Sequence, residues 1–171
     1  MPDDAPAIAR LLEEGLWSYR AFASVGWEPP PSGDWPGRVS TELARSEVWC
    51  LLALADDEPV GHVSLSPRTR HDREPPPPGT LRLWQLFVRP AWQGRGVAAV
   101  LLDAAVAEAG QRGFSRLSLW TPRDHGRARA FYEREGWAPT GRESDGGDLG
   151  LGTVEYARRV DALPRLSDHR R

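Results

Sequence analysis

The sequence contains no lysine: all 22 of its Lys+Arg residues are arginine. Schiff-base chemistry and the P-loop lysine are thereby excluded. There is a single cysteine, Cys50. One thiol rules out an internal disulfide framework and a cysteine-based zinc centre. It lies in the apolar run Val48-Trp49-Cys50-Leu51-Leu52-Ala53-Leu54, where a small buried strand residue is expected. No stretch approaches the ~20 apolar residues of a membrane span. Asp3 and Asp4 stand where a signal peptide would carry basic residues, so a soluble cytoplasmic protein is expected. A net charge of -2 supplies no basic field for nucleic acid. His71 and His169 stand in polar segments without metal-ligand spacing, and no metal is expected.

What is present fits one domain spanning residues 1–171, with a hydrophobic share of 40% sufficient for one core. Asp4 followed by Ile8, Leu11, Leu12, Leu16 and Tyr19 predicts an amphipathic helix to about Ala23. Pro29-Pro30-Pro31 keeps Trp27 to Gly37 as loop, and Arg38 to Arg45 suits a short second helix. Val48 to Ala55 and Val60 to Ser66 read as a hairpin. Arg68 to Gly79 reads as an extended, proline-rich loop, and Leu81 to Val88 as a third strand. Val97, Val100, Leu101, Ala104, Ala105 and Glu108 mark the inward face of a long helix closed by Gly110 to Gly113. A strand at Leu117 to Trp120 and a helix at Arg127 to Glu135, stopped by Gly136, come next. Trp137 to Gly141 and Gly152 to Val160 suggest a closing strand pair around a turn, before a polar tail after Asp161. This order implies an α/β chain of the α+β type: a mixed sheet with helices on both faces.

The most informative stretch is Gln93-Gly94-Arg95-Gly96-Val97-Ala98, set between a strand and a helix. Glycines there let backbone approach a ligand, and the following helix start offers unpaired amides and a positive dipole end. Such a corner suits a phosphate or diphosphate. Gly94-Arg95-Gly96-Val97-Ala98-Ala99 also satisfies the G-x-G-x-x-A dinucleotide spacing. That fingerprint wants an acid about 20 residues on, at the end of the next strand, to grip ribose. Here the next strand runs into Thr121, and no acid follows until Asp124. A purely structural tight turn is the other alternative.

A second frame fits more of the chain. Leu86-Phe87-Val88-Arg89-Pro90 precedes Gln93-x-x-Gly96-x-Ala98, and Ala128, Phe131-Tyr132 and Gly136-Trp137 follow. These two blocks, in this order and at this separation, resemble the GCN5-related N-acetyltransferase (GNAT) superfamily, from roughly Val48 to Val160. The resemblance implies a mostly antiparallel sheet splayed at a cofactor site, and acetyl-coenzyme A as cosubstrate. Gln93, Gly94, Arg95, Gly96, Val97 and Ala98 would offer backbone donors to the diphosphate, with Arg95 the best candidate for a side-chain contact. Leu86, Phe87 and Val88 would pair along the pantetheine arm. Tyr132 would protonate the departing thiolate, although a core aromatic fits the same helix face. A backbone N–H near Val88 would stabilise the carbonyl oxygen.

Three departures stand out. His125 replaces the asparagine usual at the second block, where it would meet the pantetheine amide. Arg82 stands near the place of the glutamate many relatives use as base. Glu42, Glu47 and His62 are then candidates by type and location, as is a water chain. The family's first strand is missing or very short here, which leaves a sheet edge that a second subunit would cover. Trp27 and Trp35, with Glu28, Asp34 and Asp72, lie in segments that would border an acceptor amine. The expected function is acetyl transfer to a primary amine of a small molecule or peptide, the alternative being a non-catalytic acyl-coenzyme A-binding module.

Overall fold

Asp56 and Asp57 both take positive φ, 49° and 64°. That primed geometry matches the right-handed twist of a hairpin. It joins β1 (Trp49–Ala55) to β2 (Glu58–Ser66) as antiparallel neighbours. The computed structural model describes residues 4–31, 33–67, 75–145 and 149–160. Its other strands are β3 (Thr80–Val88), β4 (Arg116–Pro122), β5 (Ala138–Ser144) and β6 (Thr153–Arg159), and its helices are α1 (Ala5–Ser18), α2 (Trp35–Leu43), α3 (Val97–Gln111) and α4 (Gly126–Arg134). The sheet order is β1-β2-β3-β4-β6-β5. Every pairing is antiparallel except that of β3 with β4. The mixed, mostly antiparallel sheet expected from the sequence is therefore present.

Side chains alternate between two cores, as strand period requires. Val63, Leu65, Leu81 and Leu83 pack with Leu101, Leu102 and Ala105 of α3 and with Tyr132 and Trp137. Cys50, Leu52 and Phe87 pack instead with Ile8, Ala9 and Leu12 of α1 and Val39 of α2. Gly15 belongs to this second interface. A Cβ there would run into the ring of Phe87, so glycine in mid-helix is the condition for that ring's position.

Three local expectations are corrected. Helix α2 begins at Trp35 rather than Arg38, because the Asp34 carboxylate caps it by accepting from the Gly37 amide at 2.9 Å. Helix α1 ends at Ser18, and a single 3-10 turn, Tyr19–Ala21, completes the run expected to reach Ala23. Val100, assigned inward by spacing, is 68% exposed; the inward face runs through Leu101, Leu102, Ala105 and Ala109. Positions 68–74 of the expected proline-rich loop, with His71 and Asp72, lie outside the described residues, as do 146–148 and the tail from 161, with His169. Among the described residues no helix is long and apolar enough to cross a membrane.

Candidate active site

β3 and β4 pair over only three rungs, Thr80 with Arg116, Leu81 with Leu117, and Arg82 with Ser118. Beyond them β3 stays with β2 as far as Val88, while β4 stays with β6 as far as Pro122. Trp84 is an extra residue in β3, sitting between Leu83, opposite Leu65, and Gln85, opposite Ser64. Such a bulge bends its strand, and it falls where the two strands part. At the vertex, Arg82 Nη1 donates to Ser118 Oγ and to Glu155 Oε1, each at 2.8 Å. The crevice above encloses about 120 Å³, between Leu83 to Val88 on one wall and Leu119, Trp120 and Thr121 on the other. Tyr19, His125 and Tyr132 also line it.

The glycine corner lies at the outer end of β3. After a short turn at Pro90–Trp92, Gly94 and Gly96 adopt φ of 77° and 85°. Both are left-handed, where a side chain is strained. A Cβ at either would meet nothing within 4 Å, so the space beside them is open. Gly96 is the N-cap of α3, whose first ladder bond is Val100 N–H to Gly96 O at 3.1 Å. The amides of Val97, Ala98 and Ala99 precede that bond and lack helical acceptors. Gln93 differs from expectation. Its amide donates to Pro90 O at 3.2 Å, so it does not face outward. Its side chain donates to Val88 O at 3.1 Å and accepts from Arg127 Nη1 at 2.8 Å, tying the corner to β3 and α4. The exposed guanidinium of Arg95 lies 5.0 Å from the Trp92 ring centre.

Two phenols share the crevice. Tyr132, on α4, is 8% exposed, and burial raises its pKa far above the usual phenol value, with Tyr19 adding a smaller push. Burial takes Tyr19 to about 12. Both are protonated at neutral pH and can donate. His125 stacks on Phe22 at 4.3 Å and meets Tyr19 edge-on at 5.5 Å. Burial, and then Arg127, lower its pKa, so it is neutral at physiological pH. Trp27, 6.3 Å from Tyr19, donates its indole N–H to Leu149 O at 2.7 Å. That bond joins the α1–α2 loop to the segment before β6.

The base candidates do not converge on the crevice. Glu42 and Glu47 pair with Arg45 at 2.9 and 2.7 Å, and neither lines the crevice. His62 is fully buried in β2, where desolvation lowers its pKa to about 4. Arg82 is a buried ion-pair partner of Glu155. Trp35 packs beside the α1–α2 core, Asp34 caps α2, and Glu28 pairs with Arg20 at 3.6 Å.

A splayed mixed sheet with a glycine corner at its mouth defines the class, and residues 12–137 match the Acetyltransferase (GNAT) family. The chain belongs to that family. It is 35% identical over 136 residues to the mycothiol acetyltransferase of Beutenbergia cavernae, covering 74% of this chain and 42% of that protein. It is 37% identical over 111 residues to the aminoglycoside N(6')-acetyltransferase type 1 of Stenotrophomonas maltophilia, covering 62% of this chain and 61% of that one. The chain thus spans about two-fifths to three-fifths of the length of these curated relatives. The PaiA N-acetyltransferase from Thermoplasma acidophilum, solved in complex with coenzyme A, shares the fold with a TM-score of 0.71 at 17% identity, over 92% of this chain and 94% of that one.

Proposed function

We propose that the protein transfers an acetyl group from acetyl-coenzyme A to a primary amine by direct attack, with Tyr132 as general acid. The observation that carries this reading is the parting of β3 from β4, which leaves one side of Leu86 to Val88 without a strand neighbour beside a crevice containing two phenols. The residues present fit the cosubstrate. Open space beside Gly94 and Gly96 admits a diphosphate to the amides of Val97 and Ala98, and Arg95 adds a cation. Leu86, Phe87 and Val88 supply main-chain groups to the pantetheine arm, and His125 lies on the opposite wall.

Acetyl-coenzyme A supplies an activated thioester carbonyl. A main-chain N–H near Val88 stabilises the charge that develops on its oxygen. As the C–N bond forms and the C–S bond breaks, Tyr132, held protonated by burial, gives its proton to the departing sulfur, and the proton shed by the amine nitrogen restores the phenol. Holding amine and thioester in one crevice removes much of the entropic barrier. The relative named aminoglycoside N(6')-acetyltransferase supports an amine acceptor.

The test is calorimetric titration with acetyl-coenzyme A, beside thiol release over a panel of primary amines. Saturable binding with amine-dependent release is expected. Absence of binding overturns the reading. Binding without release for any amine assigns the chain to acyl-coenzyme A binding alone.

A further inference from the structure

His62, Gln85, Ser64 and Cys50 form a polar group between β1, β2 and β3. His62 Nε2 lies 3.2 Å from Gln85 Oε1. Ser64 Oγ is 3.5 Å from the same oxygen and 3.3 Å from Cys50 Sγ. His62 is 0% exposed, and its Nδ1 is buried without a hydrogen-bond partner. These facts settle the direction of the bonds. A neutral imidazole carries one N–H. On Nδ1 that hydrogen would be a buried N–H with no acceptor, the rarer kind of orphan. It therefore sits on Nε2 and is donated to Gln85 Oε1. The Ser64 hydroxyl can only add a second donor to that oxygen. A flipped Gln85 amide would force the wrong imidazole tautomer, so the network fixes the amide as well as the ring.

With its oxygen held against β2, Gln85 has its Nε2 amide group left over, and the residue lines the crevice. Trp84, the bulge residue beside it, lines the same crevice, and its indole N–H is buried with no acceptor. Two side-chain donors at one depth thus lack a partner among the described residues. Their depth matters. The mouth is at Gly94 and Gly96, and Leu86 to Val88 runs inward from it. Gln85 is the next residue toward the vertex at Arg82, where an arm entering from the mouth ends in its acyl group.

We infer that the Gln85 amide nitrogen is a hydrogen-bond donor to the acyl carbonyl of the thioester, and that His62 is the positioning residue that aims it. The inference rests on the acetyl-coenzyme A reading and adds to it a side-chain donor that acts with the main chain. A carbonyl oxygen has two lone pairs, so it can accept from Gln85 and from a backbone N–H together.

The test compares acetyl-coenzyme A with free coenzyme A, which lacks that carbonyl. In the full chain, Gln85→Leu and Gln85→Glu are expected to weaken acetyl-coenzyme A binding about 3- to 10-fold. Binding of coenzyme A should stay within about twofold, since no acyl contact is lost. His62→Leu should reproduce the selective loss, and His62→Gln, which keeps a donor, should restore the parental ratio. A variant that merely loosened the sheet would weaken both ligands equally, and that result overturns the inference. So does an unchanged ratio while both ligands bind. Failure of the parent to bind either ligand overturns the acetyl-coenzyme A reading and this inference with it. If the Gln85 variants do not fold, NMR of the parent decides. The Gln85 side-chain amide protons should shift with acetyl-coenzyme A and not with coenzyme A, and His62 should show a protonated Nε2. A shift common to both ligands, or a protonated Nδ1, overturns it.

Discussion

Arg82, on the last rung where β3 and β4 still pair, meets Glu155 of β6 at 2.8 Å, with each residue 3% exposed. Arg142 approaches the same carboxylate at 3.5 Å, and Thr140 donates to it at 2.8 Å. One anion on β6 therefore serves donors from two strands, β3 and β5. Glu155→Gln removes the buried carboxylate that Arg82 meets at 2.8 Å, and a loss of about 3 kcal/mol is expected. Urea denaturation at pH 7 measures it. The double variant Arg82→Leu with Glu155→Leu should recover most of that loss, because both charges leave together. A double variant as unstable as the single one would show that packing, not charge, dominates at the vertex.

Replacing Gly94 or Gly96 by valine imposes a left-handed conformation on a branched residue, at a cost of about 1–2 kcal/mol each. Side chains would also enter the open space beside the α3 amides. Coenzyme A affinity should fall at least about tenfold, following the loss of two or more amide contacts. Circular dichroism and calorimetry together read both effects. Variants that fold and bind coenzyme A as the parent does would remove the diphosphate from this corner.

Tyr132→Phe tests the general acid. The ring keeps its contacts with Phe131 and Trp137, whose centroids lie 5.4 and 5.9 Å away, so stability should change little. Turnover is expected to fall about 100-fold, the lower range for lost acid catalysis. The affinity for acetyl-coenzyme A should stay within about twofold. Equal turnover in parent and variant would return Tyr132 to a packing role.

His62 makes stability depend on pH. Its folded pKa is about 4, against an ordinary 6.5, because burial disfavours the charged ring. Below about pH 6.5 the unfolded chain takes up a proton that the folded chain refuses. The resulting stability is complete above that pH and is lost as pH falls toward 4, reaching about 3 kcal/mol there. Urea midpoints of the parent and of His62→Gln, followed from pH 7.5 to 4.5, should diverge in this window, the parent falling faster. Parallel curves would locate the acid sensitivity elsewhere.

The sequence made local features legible and left cross-strand ones hidden. The corner at Gly94 and Gly96 follows from residue type and spacing, because left-handed φ is a property of glycine itself. Gly136, with φ of 80°, ends α4 for the same reason. The Asp34 cap was equally local, but Pro29-Pro30-Pro31 drew the loop too long. Arg82 and Glu155 lie 73 positions apart, and only the strand order β3-β4-β6 joins them. The link from His62 to Gln85 needs the register of β2 on β3. Spacing also placed Val100 inward, since an apolar helix of this kind carries little sidedness in its pattern. Gln93 fits the motif by type, yet the turn at Pro90–Trp92 uses its amide.

With three rungs between β3 and β4, the sheet amounts to two three-stranded leaves hinged on a short seam. A molecule that spans the gap takes the place of missing rungs and ties one leaf to the other. Ligand occupancy should then be felt as mechanical stiffness across the whole sheet, and as a higher melting temperature that rises with ligand concentration.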